Sequence, residues 1–251
     1  MRLLRPFVIL VGIVAVWQVV IWATGIERFI LPSPTDVALS LYSDAAYLAE
    51  NAAVTLVEIV IGLALGILLG CWTAIGMAAS RGLRDWMLPV LVASQAIPVF
   101  ALAPILVLWF GFGLWPKIVM ATLIIYFPVT AAFFDGLRRT EPGWLDLART
   151  MGGSRWRTLR YVRLPAALPS LASGIRVATA VAPIGAVVGE WVGASAGLGH
   201  VMVQSKAQAE EPRMFAALFL LALIAVALYV AADRLLRAHV PWQRETNPNE
   251  D

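Results

Sequence analysis

Few side chains in this 251-residue chain have the type and spacing to do covalent chemistry. Gly193-Ala194-Ser195-Ala196-Gly197 matches the G-x-S-x-G pattern that raises a serine nucleophile on a sharp turn, with His200 five residues on as a candidate base. Such an elbow needs a strand before the serine, and the approach here is a long apolar run, so an intramembrane serine hydrolase is the remote alternative. His200 and His239 are too far apart in sequence to suggest a metal pair. The one cysteine, Cys71, permits neither an intrachain disulfide nor a cysteine-based metal site. A phosphate-binding loop requires Gly-Lys-Ser/Thr, and the only lysines, Lys117 and Lys206, follow Pro116 and Ser205. The chain is therefore expected to hold no catalytic residue, no metal and no cofactor. Any ATP and magnesium would belong to a partner.

Three other charges matter because of where they sit. Glu58, Arg176 and Glu190 interrupt otherwise apolar runs, and an ionisable group within a membrane span is costly enough to be a functional candidate by default. Arg176 and Glu190 are fourteen residues apart, about 21 Å along a helix, so they cannot pair within it. Arg176 could face a cytoplasmic cavity and Glu190 an outer gate beside Trp191. The blander expectation is that both snorkel to the interfaces and that Glu58 lies at the outer one.

The elements that would position these residues follow from composition. Hydrophobic residues make up 60% of the chain and charged residues 14%, and the mean hydropathy is +0.79. These values exclude an ordinary soluble enzyme, whose charged fraction is roughly a quarter. Continuous apolar runs long enough to cross a bilayer occur six times: 7–23, 52–79, 86–116, 118–134, 166–192 and 214–232. They do not alternate as barrel strands would. The expectation is an all-α polytopic membrane protein of about six transmembrane helices. Its divisions are an anchor and external amphipathic segment over 1–51, a core over 52–236, and a polar tail over 237–251.

Charge distribution orients the chain. Of 19 basic residues, fourteen fall in alternate connecting segments and the termini, which become cytoplasmic under the positive-inside rule. The pI near 9.3 thus reads as arginine-loaded loops and not as nucleic-acid binding. The segments assigned outside hold Arg28, Lys117, Lys206 and Arg213. Two packing signals stand out within the spans. Gly62, Gly66, Gly70, Ala74 and Ala78 recur every fourth residue, a smooth stripe for helix packing inside the subunit or across a dimer. Pro98 and Pro104 should bend or break the third span, where freed carbonyls could line a transport path.

The longest polar stretch, 135–164, is too patterned to be a mere connector. After Pro142-Gly143, the residues Trp144, Leu147, Ala148 and Met151 share one helical face, and Gly152-Gly153 stops the helix. On pattern alone, this short amphipathic helix suits lipid headgroups or a protein partner.

Here the sequence resembles a known family. Asp146-Leu147-Ala148, three residues, Gly152, nine residues, Val162, one residue, Leu164 and Pro165 is similar to the E-A-A, x3, G, x9, I, x, L, P loop of ATP-binding-cassette importer permeases. Asp replaces Glu, Leu the first Ala, and Val the Ile. The resemblance implies a type I importer permease fold in the bacterial inner membrane, with the loop (135–165) a coupling element. Trp144, Asp146, Leu147, Ala148, Met151, Gly152, Val162, Leu164 and Pro165 would then dock a separate ATPase subunit. It further implies an extracytoplasmic substrate-binding protein and a second permease copy, as a homodimer. Leu31-Pro32-Ser33-Pro34 and the turn from Glu190 to Gly199 look like the branch serving nitrate, sulfonates, taurine and thiamine-precursor pyrimidines. The run Val181 to Gly193 and Val240-Pro241-Trp242 look most like the hydroxymethylpyrimidine permeases.

Overall fold

The computed structural model describes residues 4–242. Arg2, Arg244 and most of the 237–251 tail lie outside the described residues. The described residues are mostly helical, in the order α1 (Leu4–Thr24), α2 (Pro34–Ser43), α3 (Ala45–Ala79), α4 (Arg81–Ala96), α5 (Val99–Phe110), α6 (Leu114–Arg138), α7 (Pro142–Thr150), α8 (Arg155–Thr158), a π-helical turn (Leu159–Arg163), α9 (Leu164–Gly193), α10 (Leu198–Ala207) and α11 (Glu211–His239). Among the described residues, four helices are long and apolar enough to cross a membrane, or five if the bent pair α4–α5 counts as one span. The first apolar run lies in α1, whose apolar stretch Val11–Thr24 is shorter.

The centre of the fold is α3, α6 and α9, and it exists because small residues let their backbones approach. A methyl group added at Gly62 would lie 2.6 Å from Ala121 Cβ, and one at Gly66 2.5 Å from Ile125 Cγ2. Gly70 meets Val129 and Thr130 in the same way. Gly62, Gly66, Gly70 and Ala74 are thus buried within the subunit against α6, and Ala78 is partly buried beside the same apolar cluster. A counterpart stripe on α9 was not singled out from sequence. There Gly185 and Gly189 lie against the backbones of Ala121 and Lys117, and Ala178, Ala182 and Ala186 on the same helix are fully buried.

The third apolar run breaks where proline demands it. The ring of Pro98 disfavours α geometry at the preceding residue, and Ile97 is extended (φ −85°, ψ 119°). Helix α4 therefore ends at Ala96, and α5 leaves at 101° to it. Pro104 does not break anything; it sits inside α5, as Pro89 does inside α4. The polar stretch is also more structured than a loop, since α6 continues to Arg138 and the next long helix already begins at Arg155.

Candidate functional site

Two regions at opposite ends of α9 carry the polar chemistry. At the first, α7 begins at Pro142 and ends against Gly152, whose φ of +72° suits a residue without a side chain. Gly153 N–H donates to Ala148 O at 2.8 Å, closing the helix with the six-to-one bond of a Schellman cap. Trp144, Leu147 and Met151 remain 51%, 60% and 79% exposed. With Ala148, Tyr161 and Val162 they line an open groove of about 340 Å³ between α7 and the following helix. Asp146 takes no part in the groove and pairs at the surface with Arg149 at 2.7 Å. Leu164 packs against the apolar cluster at this end, and Pro165 follows directly on the π-helical turn at the start of α9. Of the sequence-predicted docking residues, Trp144, Leu147, Ala148, Met151 and Val162 are brought together around one groove, while Asp146, Gly152, Leu164 and Pro165 flank or support it.

At the other end, a buried polar cluster joins α3, α6 and α9 to the turn before α10. Lys117 Nζ donates to Glu58 Oε1 at 2.7 Å and to Ala196 O at 3.2 Å. Thr55 Oγ1 donates to Glu190 Oε1 at 2.6 Å and accepts from Leu198 N at 2.8 Å. Gly199 N donates to Glu190 Oε2, and Gly197 N to Asn51 Oδ1 at 2.8 Å. Gly197, at φ +114°, lies so close to the Glu190 carboxylate that no side chain could be placed there. Glu58, Glu190 and Lys117 are 0%, 1% and 5% exposed. The expectation that Glu58 and Glu190 snorkel to an interface is thus corrected, and Lys117 is enclosed with them rather than exposed. Glu190 is held inside by Thr55 and the Gly199 N–H, and Glu58 and Lys117 by one another, with Ala196 O a second acceptor for the ammonium. Sequence reasoning missed Lys117 because it stands at the edge of its apolar run, where an interfacial position is the simpler reading.

Arg176 is also paired, with Asp233 of α11 at 2.7 Å, and Asp233 in turn meets Arg237 at 2.9 Å. This pair closes the α9–α11 contact, so Arg176 is not an isolated charge in lipid. Near the start of α11, Arg213 binds Asp44 at 3.0 Å, and the guanidinium holds the Asp44 carboxyl below the usual carboxylate range.

The hydrolase alternative fails on local structure. Ser195 and His200 both line an open cavity of about 480 Å³ with Phe112 and Trp191, yet the residues before Gly193 are helix α9 and not a strand. Among the described residues, no hydrogen bond joins Ser195 to His200. His239 lies at the far end of α11, remote from His200.

Comparison with known proteins agrees with this architecture. Residues 66–245 match the family described as "Binding-protein-dependent transport system inner membrane component". A probable ABC transporter permease protein of Haemophilus influenzae is 52% identical over 95% of this chain and 98% of its own length. The formylaminopyrimidine transport permease protein ThiX of Halalkalibacterium halodurans is 35% identical, covering 96% of this chain and 97% of that protein. The riboflavin transport system permease protein RibX of Chloroflexus aurantiacus is 38% identical over 90% of this chain and 85% of that protein. Among solved structures, the inward-facing MetNI methionine ABC transporter superposes with a TM-score of 0.62 at 24% identity, over 77% of this chain and 94% of that chain. The chain belongs to the binding-protein-dependent transport system inner membrane components, the permease subunits of ABC importers.

Proposed function

We propose that the groove between α7 and the π-helical turn receives an ATPase subunit, and that this chain carries a thiamine-precursor pyrimidine into the cell. The observation that supports docking is the exposed apolar face of Trp144, Leu147 and Met151 on a helix that starts at Pro142 and is closed by the Gly153 N–H to Ala148 O bond. A rigid apolar projection transmits force only if something rigid covers it. ATP-driven closure of the ATPase shifts the permease between inward- and outward-facing states to the extent that it binds one of them more tightly. In this reading both termini and α7 lie in the cytoplasm, the Ala194–Gly199 turn lies outside, and two copies of the chain enclose the path. A separate extracytoplasmic binding protein delivers the solute. Glu58, Arg176, Glu190, Pro98 and Pro104 act on that path by shaping helices, since Glu58 and Arg176 are engaged in ion pairs, Glu190 is hydrogen-bonded by Thr55 and Gly199, and Pro98 sets the α4–α5 break.

For the solute, the formylaminopyrimidine permease name of one full-length relative supports the pyrimidine reading. The riboflavin name of another favours a second reading, a larger nitrogen heterocycle. Aliphatic sulfonate, taurine or nitrate is the alternative from the wider branch. Uptake of labelled hydroxymethylpyrimidine, formylaminopyrimidine, riboflavin and taurine, with the cognate binding protein present, decides between them. Uptake of taurine alone would overturn the pyrimidine assignment. Docking is tested by co-purification: Ala148→Asp and Gly152→Asp are expected to lose the ATPase. Retention of the ATPase and of normal uptake by both would place the interface elsewhere.

A further inference from the structure

Arg163 occupies the last position of the π-helical turn, between the groove and α9. Its Nε and Nη2 donate to Leu137 O at 3.0 and 2.8 Å, and its Nη1 to Ala78 O at 3.4 Å. Leu137 lies in the last turn of α6 and Ala78 in the last turn of α3. Carbonyls in these turns have no partner within their own helix. One planar guanidinium therefore satisfies two helix ends at once, and its positive charge suits the negative end of both dipoles.

We propose that Arg163 is a positioning residue that carries movement of α7 to the ends of α3 and α6. This rests on the docking of an ATPase at α7, proposed above. The route is short. α7 borders a groove whose other wall is α8 and the π-helical turn, and from Arg155 to Gly193 the helix is continuous. A push on α7 passes through the short link 151–154, which Gly153 N–H ties back to Ala148 O, into that helix and so reaches Arg163. Among the described residues, no other side chain from 139–163 hydrogen-bonds to α3. Leu159 also packs into the apolar cluster there, beside Met77 and Phe133, but apolar contact is non-directional and lets helices slide. The guanidinium fork is directional and ties both ends to one atom group, so they shift together. π-Helical turns inside α-helices occur often at functional sites.

The test uses the complex co-purified with its ATPase and reconstituted in liposomes, in a Cys71→Ser background carrying Ser195→Cys. The probe is MgATP with vanadate, and the readout is the rate at which a membrane-impermeant maleimide labels position 195, at the far end of α9. With Arg163 intact, nucleotide is expected to change that rate. Arg163→Lys keeps the charge but cannot span two carbonyls. It is expected to retain the ATPase and its hydrolysis while the nucleotide-dependent change shrinks roughly tenfold, within the range typical of coupling between sites. Arg163→Gln should behave alike. An undiminished change in Arg163→Lys overturns the proposal. So does loss of the complex in both variants, because Arg163 would then hold the docking surface together and transmit nothing. A rate indifferent to nucleotide in the parent also overturns it. Failure of the docking reading itself would show differently, as no ATPase bound to the parent chain.

Discussion

Replacing Lys117 by methionine removes one ammonium from a cluster that holds two carboxylates. The ammonium is 2.7 Å from Glu58 Oε1 and the Glu58 side chain is fully enclosed, so no water can take over the lost bond. Glu58 Oε2 is already buried without a hydrogen-bond partner among the described residues, and Ala196 O would lose its donor as well. Breaking a buried pair by removing one partner costs about 3–5 kcal/mol, because the remaining charge stays buried and uncompensated. Methionine fills nearly the same volume as the lysine stem, so cavity formation contributes little. At roughly 2–4 °C per kcal/mol for a chain of this size, the midpoint of thermal unfolding in detergent should fall by about 10 °C. The exposed Arg84–Asp85 pair supplies the control, as surface pairs are worth about 0–1 kcal/mol. Adding Glu58→Gln to Lys117→Met removes the stranded charge and should recover most of the loss, giving a coupling of about 3 kcal/mol in a double-mutant cycle. Two results would refute the reasoning. One is Lys117→Met as stable as the parent; the other is a double variant no better than Lys117→Met, which would trace the effect to packing.

Other outcomes follow from the same contacts. Gly66→Leu must displace Ile125, since even its Cβ would stand 2.5 Å from Ile125 Cγ2, and overpacking of this kind costs about 1–3 kcal/mol. Loss of folded yield in Gly66→Leu, with Gly82→Leu tolerated because nothing faces Gly82, checks that the stripe packs inside the subunit. The depressed carboxyl of Asp44 implies that its stabilisation is complete above the unfolded value of about 4 and is lost as pH falls through the folded one. Stability measured against pH should therefore decline on the acid side. Asp44→Asn should flatten that decline, and an unchanged slope would remove Asp44 from the explanation.

How much of this could be read from the residues depended on whether the signal was local. Helix α7 was legible in full, since Pro142, the four-residue apolar face and Gly152 are all within eleven positions of one another. The α4–α5 break was legible at Pro98, because the ring acts on its immediate neighbour; Pro104 was misjudged, because lipid-embedded helices absorb a proline when neighbours satisfy the freed groups. The glycine stripe announced close packing but not its partner, which is set by Ala121, Ile125 and Val129 on another helix. The buried cluster was least legible. Glu58, Lys117 and Glu190 each looked interfacial alone, and only the fold brings residues 59 and 135 positions apart in sequence into one hydrogen-bonded group.

The π-helical turn at Leu159–Arg163 also sets a rule for insertions and deletions. Such a turn accommodates one residue more than an α turn, and each residue of an α-helix rotates the face by about 100°. Deleting one residue there would leave a longer, more regular helix and lose little hydrogen bonding. Yet Tyr161 and Val162 would swing off the wall they share with α7, and the guanidinium of Arg163 would point away from both helix ends. Between Gly152 and Pro165 the residue count therefore decides which side chains face the groove and which reach the ends of α3 and α6.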